Sequence, residues 1–183
     1  KLEWDTNYLQ SISKPKALLT DTANSYPANN HSVMEMKIKK PAWAAYYNYC
    51  WSRFAIRFNF ACDTDSLKDG MYIEISFDGG QSFANAMDTI AIKSIGNGRD
   101  KTINYSVNQT SIIGDSVLGY SGKIRNNVYT PGGYDPYMET FGITYGWNNN
   151  HGFDVDSAIV RIHFVSDNID NHRQGIMIDY LYV

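Results

Sequence analysis

Four separate runs of this chain alternate apolar and polar residues one for one, and that period of two confines it to pleated sheet. Met34, Met36 and Ile38 interleave with Glu35, Lys37 and Lys39. Phe54, Ile56, Phe58 and Phe60 interleave with Arg53, Ala55, Arg57 and Asn59. Met71, Ile73, Ile75 and Phe77 alternate with Tyr72, Glu74 and Ser76, and Val160, Ile162 and Phe164 with Arg161, His163 and Val165. A fifth run, Gly175 to Val183, is apolar on both faces except at Asp179. Thr89–Ile95 and Thr102–Val107 are weaker strand candidates, and Pro41–Trp51 is the one segment with a helical alternative. Successive strands with no long helix predict an all-β fold, a two-sheet antiparallel jelly-roll β-sandwich.

The 183 residues suffice for one sizeable core, so residues 1–183 read as a single β-sandwich module, expected to be excised from a longer secreted protein. A net charge of -3 and a pI near 5.7 argue against a nucleic-acid partner, which needs clustered Lys and Arg. No run of 18 apolar residues is present, so the chain is not expected to span a membrane. Cys50 and Cys62 flank a strand whose extended length, roughly 30 Å, separates its ends beyond disulfide reach, so a bridge is not expected unless the chain around Cys50 folds back along the strand.

Ser76-Phe77-Asp78-Gly79-Gly80-Gln81-Ser82-Phe83 fits an Asp-box turn, in which the Asp carboxylate caps the bend and the last aromatic anchors it. Asp63, Asp65 and Asp69 concentrate hard oxygen donors in one loop, a density suited to Ca²⁺, although the spacing misses the EF-hand. Asp179 in its apolar strand needs a partner, since an unpaired buried charge is costly. A Ca²⁺ ligand and a hydrogen-bonded structural acid are the two roles open to it.

Catalytic signatures are missing: no H-E-x-x-H, G-x-S-x-G or P-loop occurs, and His31, His151, His163 and His172 lack ligand spacing. His163 is expected to point outward from its strand as a surface polar residue. Arg57, Glu74, Arg161 and His163 leave the apolar faces of their strands and would line one polar sheet face if those strands are neighbours. Two aromatic-rich loops are expected around it, one with Trp43, Tyr46, Tyr47 and Trp51, the other with Tyr134, Tyr137, Tyr145 and Trp147. The second lies in a Gly-, Tyr- and Asn-rich stretch, Gly114 to Gly152, that reads as a long connection. Aromatic rings stack on the C–H faces of pyranoses while Arg and Glu bond hydroxyls, which suits a glycan-binding groove.

Three segments, in order, resemble a known type of module. Leu19-Thr20-Asp21 through Tyr26 to Asn29-Asn30 is similar to the opening of MAM-like jelly rolls. Asp69 to Phe83 resembles their middle strand and turn. Val160 to Asp167, with Gly175-Ile176-Met177-Ile178-Asp179, resembles their close. Such modules accompany secreted bacterial peptidases of the immune-inhibitor-A type and surface proteins of Bacteroidetes. The resemblance implies a secreted or cell-surface, non-catalytic, calcium-stabilised sandwich with Asp179 as the metal-ligand candidate and Asp21 and an N-terminal acid such as Glu3 or Asp5 as its partners. The chain departs from the family in having few cysteines and Tyr180 where a second acid is frequent. The expected function is a non-catalytic extracellular carbohydrate-binding or adhesive module. Its ligand is expected to be a polysaccharide or glycan, an acidic one being favoured by Arg57 and Arg161. The alternatives are a structural accessory domain packed on its parent protein's other domains, and a glycan-active enzyme.

Overall fold

The computed structural model describes residues 5–7, 17–20, 25–39, 52–88, 101–105, 110–112, 117–124, 139–147 and 157–182. No helix occurs among them, and the strands form two antiparallel sheets. In chain order they are β1 (Asp5–Asn7), β2 (Ala17–Leu19), β3 (His31–Lys39), β4 (Ser52–Asp63), β5 (Gly70–Ser76), β6 (Ala84–Asn85) and β7 (Lys101–Tyr105). β8 (Thr110–Ile112), β9 (Val117–Ser121), β10 (Lys123–Ile124), β11 (Glu139–Trp147), β12 (Ser157–Val165) and β13 (Gly175–Tyr182) complete the set.

The first sheet runs β1-β2-β13-β4-β11-β7 with β10 appended to β4; the second runs β3-β12-β5-β9-β8 with β6 appended to β5. Leaving aside the short β1, β6, β8 and β10, consecutive strands therefore change sheet at each step: β2, β4, β7, β11 and β13 lie in one, β3, β5, β9 and β12 in the other. That crossing pattern is the jelly-roll wind, and it brings both inner faces to a single core. Ile56, Phe58, Phe60 and Cys62 of β4 meet Met71, Ile73 and Ile75 of β5, and Val160, Ile162 and Phe164 of β12 join them. These are the residues whose period of two defined the strands.

Two expectations change. The stretch Gly114 to Gly152 is not one long connection, because β9, β10 and β11 fall inside it. Thr102–Val107 appears as the shorter β7, while Thr89–Ile95 and Pro41–Trp51 lie outside the described residues. Cys62 is a free thiol whose pKa burial pushes up to about 12, which leaves it protonated and unreactive. Cys50 lies outside the described residues.

Candidate functional site

The segments that resemble a family converge on one end of the sandwich. Tyr26, fully buried, packs edge-to-face on Phe164 with centroids 5.0 Å apart. Its hydroxyl donates to Asp69 Oδ2 at 2.6 Å and accepts from the Asp65 amide at 3.2 Å. The other Asp69 oxygen accepts the Asp167 amide at 2.7 Å. Ser166 ties in the same loops, its hydroxyl donating to Pro27 O and its amide to Asn30 O. Thr20 exchanges bonds with Ile176, accepting its amide on Oγ1 and donating its own to the Ile176 carbonyl. Gly175 has φ +88° beside Thr20, and an added methyl would collide with Thr20 Oγ1, so the site requires glycine on both counts.

The three loop carboxylates are consequently divided. Asp63 takes Arg173 at 3.2 Å, Asp65 takes Asn171 Nδ2 at 3.0 Å, and Asp69 is spent on Tyr26 and Asp167. Among the described residues no group of three acids, histidines or cysteines converges as a metal cage. Burial raises the Asp69 pKa, with the bonds from Tyr26 and the Asp167 amide pulling the other way. The same burial, reinforced by the bond to Asp69, holds the Tyr26 phenol far above its ordinary value.

The Asp-box turn forms as its residues require. Asp78 accepts from the Gln81 and Ser82 amides at 2.9 and 3.0 Å and from the hydroxyls of Ser76 and Ser82, while Gly79 and Gly80 take φ of 76° and 94°. These bonds, the one from Ser82 first, hold its carboxyl well below the usual range. Phe83 lies under Arg161, whose Cζ is 3.8 Å from the ring centre, so the final aromatic is anchored on the outer surface of the second sheet.

That outer surface is the second place where polar side chains gather. β12 lies between β3 and β5, pairing Arg161 with Glu35 and Glu74 and His163 with Val33 and Tyr72. Arg161 Nε donates to Glu35 Oε2 at 2.8 Å. Tyr72 stacks on His163 with centroids 4.3 Å apart and planes 6° from parallel. His163 Nδ1 lies 2.9 Å from His31 Nε2, and His163 Nε2 lies 2.8 Å from Glu74 Oε2. The last contact is close but off the N–H direction, so it is electrostatic proximity rather than an aligned hydrogen bond.

His163 is only 5% exposed, which corrects the expectation of a surface residue. Its strand is interior to the sheet, and the Tyr72 ring and His31 cover it. Burial first, then the neighbouring His31 and Arg161, lower its pKa to about 4. Burial raises the Glu74 pKa, against the pull of Arg161 and His31. Each group is thus pushed toward its neutral form, and at neutral pH the contact with Glu74 is made by an uncharged imidazole.

Of the expected polar face, Glu74, Arg161 and His163 come together. Arg57 does not join them: β4 belongs to the first sheet, where position 57 pairs with Gly142 and Tyr182. Tyr145 and Trp147 are not in a loop but in β11, opposite Phe54 and Ser52. Trp43, Tyr46, Tyr47, Trp51, Tyr134 and Tyr137 lie outside the described residues, as do Glu3, Asp21 and His151. Asp5 pairs with Leu19 and Leu19 with Met177, which sets Asp5 two strands, roughly 10 Å, from β13. Asp179 pairs with Asn59, where the β13–β4 register shifts. His31 and Tyr72 are members of the cluster that reading the sequence missed; both occupy alternating positions, but only the strand register brings them to His163.

Comparison with protein-family models, with curated proteins and with solved structures found no match to the chain.

Proposed function

We propose that the chain is a non-catalytic extracellular module that binds carbohydrate or adheres to a glycan surface through the outer face of β3, β12 and β5. The observation that supports this reading is the composition of that face. Fixed donors and acceptors (Arg161, Glu35, Glu74) stand in rows beside exposed Val33 and the Tyr72 and Phe83 rings. A pyranose offers the complementary pairing of hydroxyls and an apolar C–H face. Arg161 suits a carboxylated sugar, to which its guanidinium presents parallel donors. The test is a glycan screen read by intrinsic fluorescence and heteronuclear NMR. Shifts confined to residues 33–35, 72–74 and 161–163, weakened about tenfold in Arg161→Ala, are expected. Acidic and neutral glycans that all leave this face unshifted at millimolar concentration overturn the reading.

A structural accessory domain is the second reading, and the hydrogen-bonded end of the sandwich favours it. Tyr26, Asp69, Ser166 and Thr20, all from the segments that resemble MAM-like modules, are used there for internal bonds. On this reading the partners are the other domains of a secreted or cell-surface parent protein.

Calcium stabilisation through Asp179 with Asp5, Asp21 or Glu3 belongs to the same proposal. A bound ion stabilises the folded state by mass action. Melting in calcium and again in excess chelator is expected to lower Tm by several degrees; an unchanged Tm removes calcium from the proposal.

A further inference from the structure

We infer that Glu74, His163 and His31 form a proton-gated latch across β5, β12 and β3, closed while a single hydrogen occupies the space between the two imidazoles. The geometry distinguishes this from a metal chelate. Ring centroids 5.2 Å apart and facing nitrogens 2.9 Å apart differ by about twice the roughly 1.1 Å from imidazole centre to nitrogen, so the two nitrogens lie on the line joining the rings. Lone pairs on that line point at each other and not at a shared ion. The arrangement fits an N–H···N hydrogen bond, with His31 Nε2–H as donor and His163 Nδ1 as acceptor. His163 then carries its hydrogen on Nε2, the nitrogen 2.8 Å from Glu74 Oε2, although that oxygen lies off the N–H direction.

The latch discriminates between two protonation events. A proton taken up at His31 Nδ1 leaves the gap between the rings unchanged. A proton taken up at His163 Nδ1 places two N–H groups head to head, and the contact must break. His31, exposed at the start of edge strand β3, is the partner able to leave. Its departure uncovers His163 and the stacked Tyr72 ring.

The groups that face His163 are spread over three strands. β3 carries His31 and Glu35, with Lys37 and Lys39 farther along; β5 carries Tyr72 and Glu74; β12 itself carries Arg161. Beneath it the neighbours are apolar, Ile162 and Phe164 facing the core. Arg161 opposes the gating proton and Glu74 favours it, and the depressed pKa of His163 agrees with burial, His31 and Arg161 prevailing, in that order.

His31→Gln separates the latch from burial alone. A glutamine can donate to a neutral Nδ1, yet can also turn its carbonyl toward a protonated one, so it never meets the head-to-head conflict. Imidazole ¹⁵N shifts followed against pH give the readout. In the wild-type chain His163 is expected to stay neutral down to about 4, with Nδ1 shifted as an acceptor and the His31–His163 ring NOE lost as it protonates. In His31→Gln its proton affinity is expected to rise at least about tenfold, one pH unit. An unchanged His163 titration in His31→Gln overturns the latch, and so does an ordinary histidine titration in the wild type. The readout needs no ligand and is independent of the proposed glycan binding.

Discussion

Two clusters in this molecule, each built around a partly or wholly buried carboxylate beside an aromatic ring, behave in opposite ways. At the end of the sandwich Asp69 is met by a phenol and a backbone amide, donors that do not change state near neutral pH. On the outer face Glu74 is met by an imidazole that is itself in contact with a second imidazole. The first cluster is fixed and the second is titratable. A carboxylate surrounded by permanent donors serves architecture, whereas one connected to histidines responds to its surroundings.

The comparison is most severely tested at Asp69. Asp69→Ala leaves the Tyr26 hydroxyl and the Asp167 amide without an acceptor in a buried site, and a loss of about 3 kcal/mol is expected in chemical denaturation. Tyr26→Phe, which orphans only one Asp69 oxygen and the Asp65 amide, should cost about half as much. Losses below about 0.5 kcal/mol in both would mean that the cluster does not hold the loops together.

A second, smaller effect depends on pH. Unfolded histidine takes up a proton near pH 6.5, whereas His163 in the fold resists until about 4. Between those values the unfolded state binds more protons, so this contribution is complete above pH 6.5 and is lost as pH falls toward 4. At about 1.4 kcal/mol per pH unit, reduced for screening on the open side of the face, the loss is about 2 kcal/mol. Asp69 and Glu74 have raised pKa values and act in the opposite sense, their folded forms gaining stability on acidification. The measurement is therefore the difference in ΔG between the chain and His163→Gln from pH 7 to 4. A difference independent of pH would place His163 with the fixed cluster.

Arg161→Ala should matter least. Its pair with Glu35 is half open to solvent and screened by salt, and its stacking on Phe83 adds a contribution of similar size. A cost of about 1 kcal/mol, shrinking in high salt, is expected. A cost equal to that of Asp69→Ala would erase the distinction between the two regions.

Much of the fold was legible because half-buried strands record their burial in alternate residues. β3, β4, β5 and β12 were all visible in this way, and β13 as a run apolar on both faces. β11 was obscured by composition: Phe141, Ile143, Tyr145 and Trp147 alternate, but with Gly and Thr between them, and the stretch reads as loop. The candidate site was less legible. Glu74, Arg161 and His163 could be assigned to outer faces, yet alternation does not say which strands adjoin, and Arg57 was grouped with a sheet to which it does not belong. Nor does it reveal burial on an outer face. His163 is covered because its strand is interior and an aromatic residue is its register neighbour, two facts of topology rather than of local pattern.

The order of strands also dictates a sequence of assembly. β12 inserts between β3 and β5, and β13 between β2 and β4, so an interior position of each sheet is filled by a strand near the C-terminal end. Until those strands arrive, β3 and β5 have no partner between them, and β2 and β4 are likewise apart. Most of the pairings are distant in sequence, which slows folding, and the nascent chain presents four open hydrogen-bonding edges at these two gaps in the meantime. Loss of β12 and β13 would therefore not shorten the molecule by two strands. It would divide the first sheet and detach edge strand β3 from the second, so a chain interrupted before residue 157 is expected to aggregate rather than fold.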